Sequence, residues 1–340
     1  MEWYLSVLSF VNVRSLCYDF VRSIMEKEFT KGAMAMMPFS IFGFRALWSP
    51  YFFVTIVLLT ILYFLLTKKW RHLFEGTEPV TRKQMQSFVA SMILLYIVKG
   101  SPVDLIGHIL FSVHMTQMAL LLLGVAPLMI MGIPNFIWKK VFSVKIIDKV
   151  VRLLTKPIIS LLIFTLAFSL YHYPMILDYI KLSAVLHAIF TITVFMAALV
   201  LWWPVVNTMD DHPQLHGLKK IGYVILSALL VTPACALIIF VDVPVYETYS
   251  SGEAWLQAMA LCVPAGTLSG LSISGPELFT NMPTVYDQQL GGIIMKVVQE
   301  LIYVVVIAKI FINWYREEQL NADEITQKDL LERQKFEMNR

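Results

Sequence analysis

Apolar runs of about 20 residues recur along this chain, and that pattern narrows its possible folds more than any other feature. A backbone that crosses a bilayer must satisfy its own polar groups, so such runs fold as helices. Composition agrees: 58% of residues are hydrophobic, 15% are charged, and mean hydropathy is +0.68. A soluble chain sits nearer about 45–50% apolar and 25% charged. The net charge of +3 is too small to argue for a nucleic-acid partner. The predicted fold class is all-α, a polytopic membrane helical bundle in a lipid bilayer.

Seven spans are predicted, at Tyr51–Thr67, Met85–Val98, Leu105–Gly132, Ile158–Leu177, Leu182–Val206, Ile221–Val241 and Leu290–Ile312. Residues 1–48 are mixed in character and read as interfacial amphipathic helices. Residues 49–313 form the membrane domain, and the charged tail 314–340 reads as a solvated or partner-facing helix. Segment 242–288 has no Lys or Arg and reads as one outer-side excursion, although its apolar part 254–270 also suits a further span. Lys and Arg gather in the loops after spans one, three and five and in the tail. The positive-inside rule then puts the N-terminus outside and the C-terminus in the cytoplasm. Glu2 stands where a signal peptide would have its basic region. Cys17, Cys235 and Cys262 show no disulfide or metal-ligand spacing.

Ionisable side chains inside a membrane helix are costly, and by default they mark function. His108 and His114 lie in the third predicted span, His172 in the last turns of the fourth, and His187 in the fifth. On the predicted topology all four fall in the outer half of the membrane. At about 1.5 Å per residue, His108 is roughly 6 Å and His114 roughly 15 Å from the outer face. Met295 and Lys296 reach a comparable depth. His72, His212 and His216 fall in cytoplasmic loops, where His212 and His216, beside Asp210 and Asp211, read as a solvated pair.

Imidazole with thioether suits copper, and methionine favours Cu(I). The candidate ligands are therefore His108, His114, His172 and His187, with Met115, Met118 and Met295 as soft auxiliaries. Paired helical histidines also suit axial ligation of haem iron. Membrane histidines also hydrogen-bond across helices, and methionines fill cores. Lys296 and Glu300 stand one turn apart in the last span, as an ion pair that either fixes packing or relays charge. Gly291 and Gly292 suit a close helix contact. No nucleophile elbow, phosphate loop or paired carboxylates suggest an enzyme.

Several of these residues occur in recognisable phrases. They are His108-x5-His114-Met-x-Gln followed by Val125-Ala-Pro127, Tyr171-His172-Tyr-Pro174 with His187, Trp202-Trp203-Pro204, and Asp287-Gln-Gln-Leu-Gly-Gly292 with Met295. Together they resemble the CtaG family, polytopic assembly factors of caa3-type cytochrome c oxidase, over residues 90–312. The resemblance implies a bacterial plasma-membrane protein, of a kind suited to Gram-positive bacteria. It would act on oxidase subunits at the copper-insertion stage, on the side where the oxidase's copper centres lie. Many members carry a second histidine after the glutamine, where this chain has Met118. Two other functions stay open: a non-metal scaffold for an oxidase subunit, and a haem-binding redox protein.

Overall fold

The computed structural model describes residues 42–74, 79–250, 252–261 and 275–338, and the regular structure among them is helical. In chain order the helices are α1 (Gly43–Lys69), α2 (Arg82–Gly100), α3 (Pro102–Ile109), α4 (Phe111–Gly132), α5 (Asn135–Phe142), α6 (Lys145–Leu154) and α7 (Pro157–Tyr171). There follow α8 (Pro174–Lys181), α9 (Ala184–Val206), α10 (Leu218–Ile239), α11 (Glu247–Ser250), α12 (Gly252–Ala260) and α13 (Thr284–Met338). Local chemistry starts many of them. Thr81 and Gln84 form a reciprocal capping box at α2, and the Ser101 hydroxyl accepts from Val103 at α3. Pro102, Pro157 and Pro174 each occupy a first helical position, where the missing N–H removes nothing.

Five of these helices are long and apolar enough to cross a membrane: α1, α4, α9, α10 and residues Thr284–Leu320 of α13. Two bent pairs, α2 with α3 at 45° and α6 with α7 at 81°, bring the number to seven if each counts as one span. This is the build of a multi-pass membrane protein. Residues 1–41 of the expected N-terminal segment lie outside the described residues, as does 262–270 of the possible further span.

Two of the expected spans are corrected. The third does not run unbroken from Leu105, because Leu110 is extended (φ −115°, ψ 129°) and separates α3 from α4. His108 thus belongs to a short helix bent off the second span, and His114 to the next. The fourth ends at Tyr171, and α8 restarts after it at Pro174.

α4 is the central helix. In its most apolar window 67% of residues are buried inside the protein, against 17% in that of α1. It packs on α2, α9 and α13. The expected glycine contact is present: a Cβ at Gly291 would lie 2.7 Å from Phe111 of α4, and one at Gly292 would lie 2.7 Å from Ile239 of α10.

His212 also departs from expectation. It is buried, not solvated, and its ring lies 4.3 Å from Phe142 and 5.9 Å from Trp203. Its Nε2 meets Asp148 of α6 at 3.2 Å, a partner too distant in sequence for spacing to reveal. Arg152 donates both to Asp148 and to the Asp211 carbonyl, which latches α6 onto the 207–217 loop. Burial, with Arg152 nearby, pushes the His212 imidazole below its ordinary value of 6.5. The folded state therefore favours the neutral ring. That contribution is present above about pH 6.5 and is lost as pH falls toward the lower folded value. We expect Tm to fall more steeply from about pH 7.5 to 5.5 in wild type than in His212→Gln. Parallel slopes would show that no proton is linked to this ring.

Candidate functional site

The break at Leu110 organises the end of α4 that lies away from α6. A discontinuous membrane helix frees backbone groups that must find partners within the protein. On the α3 side, the Gly107 carbonyl accepts from the Tyr249 hydroxyl at 3.0 Å, and the His108 carbonyl accepts from Lys181 Nζ at 3.2 Å. On the α4 side, the Phe111 and Ser112 N–H groups donate to the buried Asp287 carboxylate at 2.6 and 3.3 Å, and the Ser112 hydroxyl joins them. A cation thus meets the negative end of one half-helix and an anion the positive end of the other. Lys181 Nζ also stands 3.2 Å from the Tyr249 ring centroid, and Asp104 holds both Lys99 and Gln117. A side chain at Gly107 would collide with Gln117, so the absence of a Cβ there admits the network.

The four histidines converge on this break as two pairs. The rings of His108 and His187 are 5.0 Å apart, and those of His114 and His172 are 5.9 Å apart. Tyr171 joins the pairs. It stacks on His114 at 5.9 Å, and its hydroxyl meets His187 Nε2 at 3.1 Å. His172 Nδ1 lies 2.9 Å from the Phe168 carbonyl, one turn back along α7. A carbonyl only accepts, so Nδ1 carries the proton and a neutral ring presents its lone pair at Nε2. Among the described residues, Nε2 of His172 and Nε2 of His114 are both buried without a hydrogen-bond partner. Each such vacancy costs about 1–3 kcal/mol.

Met115, Met118 and Met295 are all buried in the main apolar cluster, where they pack as core residues. Lys296 and Glu300 do pair, at 2.7 Å, and Lys296 also donates to Thr232 at 2.9 Å. Among the described residues no group of three or more His, Cys, Asp or Glu is arranged to hold a metal ion. The imidazoles therefore meet as pairs, not as a four-nitrogen cage. Sequence reasoning missed Lys181, Tyr249 and the capping role of Asp287. Charged residues beside or within apolar runs were the available signal for Lys181 and Asp287.

A family model described as cytochrome c oxidase caa3 assembly factor (Caa3_CtaG) matches residues 61–317, most of the chain. The chain belongs to this family. Membership in the CtaG family makes it an assembly factor for caa3-type cytochrome c oxidase, and the histidines, Asp287 and Tyr249 all fall within the matched region. No curated protein and no solved structure matches it.

Proposed function

We propose that this CtaG-family chain holds Cu(I) transiently between His114 and His172 and passes it to an oxidase subunit during assembly. The observation that carries this reading is the pair of buried, unpartnered Nε2 atoms on rings 5.9 Å apart. That separation is compatible with one ion reached by both nitrogens at about 2 Å each. Two nitrogens make an incomplete coordination sphere, which suits cargo that must be released. The His172 Nδ1 bond to Phe168 fixes the ring in a ligating orientation, as outer contacts of metal-bound histidines do. His108 and His187 form the adjoining pair, and Met115 and Met118 ride on the same helix as His114. The basic residues around α5 and α6, at the other end of α4, support a cytoplasmic position for that end and an outer position for the histidines. A bare ion matches the site better than haem, because Phe168 stands 4.2 Å from His172 and Tyr171 5.9 Å from His114.

Cu(I) titration of the detergent-purified protein tests this. His114→Ala and His172→Ala should each weaken binding more than about tenfold. Tyr171→Phe, which leaves both Nε2 atoms in place, should bind like wild type. Equal copper affinity in wild type and both histidine variants would refute the proposal. Normal oxidase assembly by those variants would favour a metal-free scaffold.

A further inference from the structure

Helix α6 carries a surface that oxidase assembly does not explain. Its sequence is KIIDKVVRLL, and at 100° per residue Ile146, Val150 and Leu153 share one stripe. All three are exposed, Ile146 at 77%. Lys145 and Lys149 flank that stripe on one side and are also exposed. Asp148 and Arg152 stand on the far side of the lysines from the stripe and reach His212 and the Asp211 carbonyl, while Ile147, Val151 and Leu154 fill the rest of the circumference. The latch therefore fixes the helix's rotation, and with it the direction of the apolar stripe. α6 meets α7 at 81°, so it runs nearly across the axis of that apolar helix at the end of the bundle. Lys139, Lys140 and Lys156, just before and just after it, are exposed as well.

An exposed apolar stripe bordered by lysines, on a helix lying across the end of a span, has the form of an interfacial helix. We propose that α6 is a binding surface for anionic phospholipid headgroups of the adjoining leaflet, with Ile146, Val150 and Leu153 in the acyl boundary and Lys145 and Lys149 on the phosphates. Charge complementarity selects this occupant. The exposed lysines attract an anionic surface, while the only carboxylate on the helix is already paired with Arg152 and His212. A soluble protein partner would leave the adjacent bilayer with no role for the apolar stripe.

The test compares the full-length protein in neutral detergent with added phosphatidylglycerol or phosphatidylcholine. Phosphatidylglycerol should raise Tm by about 3 °C or more beyond phosphatidylcholine, as expected when a ligand binds only the native state. The difference should shrink at high salt and vanish in Lys145→Gln/Lys149→Gln, whose substitutions lie on the exposed face and leave the latch intact. Equal stabilisation by the two lipids, or a difference that survives in the double variant, would overturn the proposal. So would an equal shift with inorganic phosphate alone, which would mark a site for free anions and not a lipid surface.

Discussion

Asp287→Ala is expected to collapse the histidine site and most of the protein's stability. The substitution removes one acceptor from three buried donors: the N–H groups of Phe111 and Ser112 and the Ser112 hydroxyl. A buried donor without a partner costs about 1–3 kcal/mol, so for three donors the sum is on the order of 3–9 kcal/mol. The carboxylate's favourable position at the N-terminus of α4 is lost as well. Thermal unfolding in detergent should show Tm lower by about 10 °C or more, with little protein left in the membrane. Asp287→Asn keeps an acceptor but loses the charge, and should fall between the two. The geometry at risk includes His108 and His114, which the break separates onto two helices. If Asp287→Ala melted within about 2 °C of wild type, the cap would contribute nothing of note.

Gly132→Ala should be the most damaging single-methyl change in the helical packing. The added Cβ would lie 2.5 Å from the backbone nitrogen of Phe88 and 2.7 Å from its Cα. Rotation of a side chain cannot relieve a collision with backbone, so α2 must move away from α4. That movement strains a joint at which the Tyr63 hydroxyl donates to the Gly132 carbonyl at 2.9 Å and its ring stacks on Phe88 at 3.8 Å. Overpacking of this kind costs about 1–3 kcal/mol, and a backbone clash belongs at the upper end. Gly222→Ala is the matched control, since its Cβ would meet nothing within 4 Å. The Gly132 variant should lose several degrees in Tm while the Gly222 variant melts like wild type. Equal melting of both would show that α2 and α4 separate freely.

The long apolar runs were legible because a bilayer imposes a length and a composition that few other folds need. The histidine pairing was legible in part. Residues in successive spans can be assigned to one end of the bundle, but not to His108 with His187 or His114 with His172. Which nitrogens stand free depends on Phe168 and Tyr171, and contacts at that level are not written in spacing. The break at Leu110 was not legible at all, because no proline or glycine occupies it. It exists where Asp287, Tyr249 and Lys181, all distant in sequence, accommodate the freed backbone groups. The sequence pattern gave His212 a solvated loop through its neighbours Asp210, Asp211 and Pro213. Its burial comes from Asp148 on α6 and the rings of Phe142 and Trp203.

The last helix has a mechanical consequence. From Thr284 to Met338 it runs 55 residues, about 80 Å at 1.5 Å per residue, with no interruption between the carboxylate near its start and the charged residues past Arg316. A helix of that length behaves as a stiff rod. Torque or traction applied to the tail would therefore reach Asp287, and through it the junction that separates His108 from His114.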